Sequence, residues 1–165
     1  MSPTPEEFRI ERGADGYEFR VAYRLDQPPE TVWSMLTDAD KLGEWLAPGS
    51  VEARPGGRAR IDFQDSGIPI DSTVRAAEPP RLLEYSWSDG TGPERPVRWE
   101  IRPADDGSRL SLTLRLPADE DIAKACAGWD SHLQMLMASL EGVSIRFPFD
   151  HFLAARDQCR AALSG

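Results

Sequence analysis

Residues Gly128 to Gly142 read GWDSHLQMLMASLEG. At 3.6 residues per turn the apolar positions Ile122, Cys126, Trp129, Leu133, Leu136, Met137 and Leu140 share one stripe, whereas Asp130, Ser131, Gln134 and Glu141 point away from it. The spacing predicts a long amphipathic helix that starts after Pro117 and is capped by Gly142. A helix with such a stripe needs an apolar surface to lie on.

The preceding residues supply that surface. In YEFRVAYRL the residues Tyr17, Phe19, Val21, Tyr23 and Leu25 alternate with Glu18, Arg20 and Arg24, which predicts a strand with one wet face. The segment QPPETVWSMLTD changes the period: its prolines suit a helix start, and Val32, Met35 and Leu36 repeat at helical spacing. A second short helix runs through ADKLGEWLAP and stops before Pro48.

Period-two patterning then resumes for about seventy residues, broken by the turn clusters RPGG, DSG, EPP, DGTGPE and ADDG. Six strands follow, and their inward sets include Val51; Ala59, Ile61 and Phe63; Ile68, Ile70, Ser72 and Val74; Leu83, Tyr85 and Trp87; Val97, Trp99 and Ile101; and Leu110 to Leu116 at alternate positions. Their outward partners Arg58, Asp62, Arg75, Glu84, Arg98, Glu100 and Arg115 are charged. The expected fold is therefore α+β: a seven-stranded, curved antiparallel sheet wrapped round one long helix, with two short helices between its first two strands. Phe149 to Leu163 read as an extra C-terminal helix. The expected division is a tail over residues 1–15, the domain over 16–142 and a helical extension over 143–165.

This order, with PPETVWSMLTD after the first strand, KLGEWLAP before the second, GGRARIDF on the third and GWDSHLQMLMASLEG on the long helix, resembles the START-like (SRPBCC, helix-grip) superfamily. Within it the chain is most similar to the activator of heat-shock chaperone (Hsp-ninety type) ATPase-like family. The resemblance covers residues 16 to 142 and implies a hydrophobic cavity between the long helix and the concave sheet. The additional chaperone-binding domain of the eukaryotic co-chaperones has no counterpart here, and residues 143 to 165 extend past the shared pattern.

Composition restricts the partners. A net charge of -9, with arginines scattered among carboxylates, argues against nucleic acid and anionic membrane surfaces. No apolar run approaches the ~20 residues of a spanning helix, and MSPTPEEFRI lacks the features of a secretory signal, so a cytoplasmic location is expected. Cys126 and Cys159 have no metal-ligand spacing and read as free thiols, and neither a metal nor another cofactor is expected.

Nucleophile signatures such as G-x-S-x-G, S-x-x-K and C-x-x-C are missing, and the inward set carries no charge. What lies inside is aromatic, aliphatic and hydroxyl. The expected ligand-binding residues are Trp45, Phe63, Ile70, Ser72, Tyr85, Trp87, Trp99, Trp129, His132, Leu133, Leu136 and Met137, although for any one tryptophan among them core packing is the safer reading. His132 falls at the edge of the stripe, as a polar accent on a cavity wall or as a half-buried histidine bonded to a backbone carbonyl.

The first reading is a cavity protein, monomeric or homodimeric, that binds a small apolar or aromatic molecule and is non-catalytic or at most weakly catalytic. The resemblance adds two alternatives: a co-chaperone-type interaction module, and a polyketide cyclase or aromatase-like enzyme in which His132, Tyr85 and Ser72 hold the substrate. Strand counting places the mouth where residues 65–67, 89–94, 47–50 and 117–121 gather. Asp65, Asp89, Glu94, Asp119, Glu120 and Asp121, offset by Arg95 alone, predict a negative mouth that disfavours anions.

Overall fold

The computed structural model describes residues 4–62, 69–90 and 93–164. Strand β1 (Glu7–Arg12) and strand β2 (Gly16–Leu25) open the chain, followed by helices α1 (Pro29–Thr37) and α2 (Ala39–Trp45). Strands β3 (Gly49–Val51), β4 (Arg58–Ile61), β5 (Ile70–Thr73), β6 (Ala76–Glu78), β7 (Leu82–Ser86), β8 (Pro96–Ala104) and β9 (Gly107–Pro117) come next. The long helix α3 (Ile122–Leu140) and helix α4 (Phe149–Ser164) end the chain.

All pairings are antiparallel, in a six-stranded sheet of order β1-β2-β9-β8-β7-β6 and a three-stranded sheet β3-β4-β5. The helix-grip arrangement agrees with the sequence; the strand count differs in two places. Glu7–Arg12, expected within a tail, pairs along the edge of β2 with Phe8 opposite Val21 and Ile10 opposite Phe19. Two apolar residues are too few to announce a strand by periodicity, but a strand edge is completed by backbone pairing, and the Phe8 ring adds an edge contact to Phe19 with centroids 5.1 Å apart.

The second difference is at Val74 and Arg75. The expected strand through Ile70, Ser72 and Val74 changes partner there: the Val74 N–H donates to the Gly57 carbonyl on the small-sheet side, and the next N–H, from Arg75, donates to Glu84 on β7. This corner lets the sheet curve round the helix. The Asp71 N–H, bonded to the Ser88 carbonyl at 3.0 Å, keeps the two sheets continuous.

Local chemistry sets the helix ends. Pro29 begins α1, where its missing N–H costs nothing. Asp38 caps α2 by accepting from the Asp40 N–H, and Asp121 caps α3 by accepting from the Lys124 N–H. Past the end of α3, Gly142 takes φ 79, the left-handed conformation that glycine adopts without a Cβ clash, and the Val143 N–H returns to the Ala138 carbonyl. α4 packs on α3 and reaches β1. The core lies between α3 and the concave sheet, where Phe19, Tyr23, Trp45, Tyr85, Trp99 and Leu112 are fully buried.

Candidate functional site

A cavity of about 780 Å³ lies between the N-terminal half of α3 and the sheet. Val97 from β8, Leu114 and Leu116 from β9, and Trp87 and Ser88 after β7 form one side; Ala125, Gly128, Trp129 and His132 of α3 form the other. Leu46, Pro69, Asp89, Pro93, Glu120 and Asp121 line it as well, so two of the segments that strand counting gathered, 89–94 and 117–121, contribute to one cavity; none of residues 47–50 is on the lining, and residues 65–67 lie outside the described residues.

Four tryptophans connect this space to the core. Trp45 meets Trp99 edge to face at 5.7 Å, Trp99 meets Trp129 at 6.0 Å, and Trp129 meets Trp87 at 4.6 Å. Such tilted pairs put ring edges on ring faces, the arrangement the quadrupole favours. Trp45 and Trp99 are fully buried, and the Trp45 indole N–H donates to the Met35 carbonyl at 2.7 Å, which fixes α2 against α1. Trp129 and Trp87 line the cavity.

Of the residues expected to bind a ligand, Ile70, Trp87, Trp129 and His132 line the cavity. Trp45, Ser72, Tyr85, Trp99, Leu133, Leu136 and Met137 are buried but not among its described lining residues. Phe63 lies outside the described residues. The stripe on α3 divides because the cavity lies beside it: Trp129 borders the hollow together with Ala125, Gly128 and His132, whereas Ile122, Cys126, Leu133, Leu136 and Met137 belong to the packed core. His132, Tyr85 and Ser72, the trio of the cyclase-like alternative, are therefore not brought together on the cavity wall. Burial pushes the Tyr85 phenol up to about 12, opposed by the Trp99 indole N–H, which lies nearby without forming an aligned hydrogen bond.

His132 donates from Nδ1 to the Trp45 carbonyl at 2.8 Å, which sets the tautomer and ties α3 to the end of α2. Burial lowers its pKa below the ordinary histidine value, and the Trp45 carbonyl opposes that shift. The imidazole is a neutral wall group at neutral pH, edge-on to the Phe147 ring with centroids 5.4 Å apart.

The hydroxyl at the cavity is Ser88 rather than Ser72. Its Oγ is 3.0 Å from that of Ser86, which in turn accepts from the Arg95 N–H. The negative mouth does not survive in three dimensions. Asp89, Glu120 and Asp121 on the lining are matched by Arg95, Arg115 and Lys124, and the Arg95 side chain hydrogen-bonds the Glu120 carboxylate. Arg115 points outward in the strand alternation but stands near the strand end, where it curls to the rim, and Lys124 follows from the helical turn that begins at Asp121. Asp65 lies outside the described residues.

A second polar group lies where the sequence pattern predicts a solvent-facing side. Asp130, Ser131 and Gln134, expected to point away from the core, are buried. Asp130 is only 3% exposed. Its Oδ1 accepts from the Tyr23 hydroxyl at 2.5 Å and its Oδ2 from His151 Nε2 at 2.6 Å; Gln134 Nε2 donates to the same Tyr23 oxygen at 3.0 Å. Burial, then the Asp130 carboxylate, holds the Tyr23 phenol strongly protonated. The outer side of α3 is inside because α4 covers it, with Cys159 buried at the same interface as Cys126. Contact with Cys159, together with burial and the Asp130 charge, pushes the Cys126 thiol up. The run Phe149 to Leu163 predicted a helix but not the face on which it docks. None of Tyr23, Asp130 and His151 lines the cavity. Among the described residues no cluster of His, Cys, Asp or Glu has the makings of a metal centre, and no helix is long and apolar enough to cross a membrane.

The chain is similar in fold to CalU16 from Micromonospora echinospora, with a TM-score of 0.78, 18% identity and 100% of both chains covered. A protein from Bordetella parapertussis gives 0.68 at 28% identity over 96% of this chain and 93% of that one. DynU16, described as a putative protein in the dynemicin biosynthetic locus, gives 0.69 at 29% identity, over 77% of this chain and 48% of its own. No curated protein sequence matches the chain. A family model described as activator of Hsp90 ATPase homolog 1-like protein matches residues 26–141, from the end of β2 through α3, and the chain belongs to that family.

Proposed function

We propose that this protein binds a small, largely apolar or aromatic molecule in the cavity between α3 and the concave sheet, without forming a covalent bond to it. The observation that carries the reading is the cavity itself. Its volume of about 780 Å³ is that of a small-molecule site, and Trp87, Trp129, Val97, Leu114 and Leu116 give it an aromatic and aliphatic wall. Ser88 and His132 are the uncharged polar groups on that wall, enough to orient one or two substituents. DynU16 is described as a putative protein in the dynemicin biosynthetic locus, which is consistent with a ligand-handling role on this fold. We take residues 16–142 as the binding unit, residues 143–165 as a cover on the outer face of α3, and the cytoplasm as the place of action.

Native mass spectrometry of freshly purified protein tests the reading, together with titration of tryptophan fluorescence by neutral aromatic compounds. A co-purifying small mass, or saturable quenching that depends on Trp87 and Trp129, supports it. Absence of both across a chemically diverse panel sinks it. The family description favours one rival, a module acting on a chaperone ATPase. Calorimetry and ATPase assays with the host's own chaperone of that type decide between them: binding with a change in rate and no small-molecule affinity selects the rival.

A further inference from the structure

Gly128 sits in the interior of α3, where glycine is about 1 kcal/mol less favourable than alanine. Two ordinary reasons for a glycine are absent. Its backbone is right-handed helix rather than the left-handed region, and a Cβ built on it meets no heavy atom within 4 Å. The contrast lies within the same chain: a Cβ at Gly16, Gly49 or Gly107 would stand 2.1, 2.2 or 2.0 Å from a backbone oxygen, so those positions exclude a side chain by close approach. At Gly128 what a side chain would occupy is the cavity, since Gly128 is half-buried and lines it.

The neighbourhood gives that empty space a shape. Ala125, one turn earlier on the same face, is also small and also lines the cavity, so the helix backbone is bare along Ala125 and Gly128. Trp129 with Trp87 closes one side of this strip, and Val97 and Leu114 of the sheet lie on the opposite wall. A bare strip of peptide planes beside an indole accepts a flat ring system face-on, because an aromatic ring offers the most contact area for the least thickness and its edges suit the neighbouring indole faces.

We propose that Gly128 is the specificity-determining position of the cavity, and that its ligand is a planar polycyclic aromatic molecule whose ring face lies against α3 at Ala125 and Gly128. The inference rests on the ligand-binding reading and names the class of ligand within it. A side chain at 128 takes the place of the ring; a puckered saturated skeleton touches the strip over less of its area than a flat ring does and gains nothing from the neighbouring indoles.

Phenanthrol and its perhydro analogue, which share a carbon skeleton and a hydroxyl but differ in planarity, are the probes. Calorimetric affinities are measured for the unmodified protein, Gly128→Ala, Gly128→Leu and Gly43→Ala. Gly43 in α2 is exposed and its Cβ likewise meets nothing within 4 Å, so its alanine variant reproduces the gain in helix propensity away from the cavity. Both alanine variants are expected to raise the thermal midpoint. Gly128→Leu is expected to weaken phenanthrol binding on the order of tenfold or more, Gly128→Ala by a smaller measurable factor, and Gly43→Ala not at all. The unmodified protein should prefer phenanthrol to the perhydro analogue. If phenanthrol binds the unmodified protein and both Gly128 variants stay within about twofold of it, or if the saturated analogue binds equally well, the proposal is overturned while the ligand-binding reading stands. If neither probe binds the unmodified protein, the proposal is overturned, and the ligand-binding reading is decided separately by native mass spectrometry and the wider panel. Circular dichroism checks that each variant is folded, and Gly128→Ala carries the decision if Gly128→Leu is not.

Discussion

Tyr23→Phe removes one oxygen from the centre of the β2, α3 and α4 junction and changes the packed volume very little. The Tyr23 hydroxyl donates to Asp130 and accepts from Gln134, and both of those partners are buried. Its loss leaves Asp130 held by His151 alone and leaves the Gln134 amide facing a ring edge. A hydrogen bond to a charged group contributes about 1.5 to 3 kcal/mol net, and a buried donor left without its partner costs about 1 to 3 kcal/mol. Because no cavity is created, we expect a loss near the lower end of that combined range, about 3 kcal/mol. With a urea m-value of about 2 kcal/mol/M, the unfolding midpoint falls by about 1.5 M.

Equilibrium urea unfolding followed by tryptophan fluorescence near neutral pH measures this. Tyr17→Phe, at a half-buried position on the same strand, is the control and should stay within about 0.5 kcal/mol. His151→Ala should also destabilise, since it withdraws the other donor from a buried carboxylate, and the double variant should be non-additive because both act on Asp130. A Tyr23→Phe loss below about 0.5 kcal/mol, with no coupling to His151, would refute the view that Asp130 organises the junction.

Trp99→Ala is expected to cost about 3 to 5 kcal/mol, whereas Trp129→Ala should cost distinctly less because its ring borders space already open; equal losses in denaturation would remove Trp129 from the cavity wall. For His132, the folded pKa lies below the unfolded value of about 6.5, so the unfolded chain takes up a proton first. Stability from this group is present above about pH 6.5 and is lost as the pH falls toward the lowered folded value. The unmodified protein should therefore lose more stability between about pH 7.5 and 5.5 than His132→Gln does, and parallel curves would contradict the lowered pKa. Deleting residues 147–165 strips His151 from Asp130 and uncovers Cys126; a clear fall in thermal midpoint is expected, and an unchanged one would show that α4 is not docked in solution.

Much of this protein was legible along the chain because the relevant forces are local. Alternation in YEFRVAYRL and the three-four spacing from Ile122 to Leu140 each record which side of one element is wet, and Pro29 and Gly142 mark helix ends through their own backbone chemistry. Strand counting brought residues 89–94 and 117–121 to one end, and both contribute to the cavity lining, since turns in a meander alternate ends. Tertiary structure decided everything that depends on two elements meeting. β1 is a strand because β2 has an edge to fill, and Asp130 is buried because α4 lies over a face that looks polar in isolation. The net charge of the mouth was decided the same way, by Arg115 and Lys124 arriving from a strand end and a helix turn. Above all, a single apolar stripe on α3 is divided into core at Leu136 and cavity wall at Trp129, because periodicity reports that a side chain avoids water, not whether another side chain fills the space in front of it.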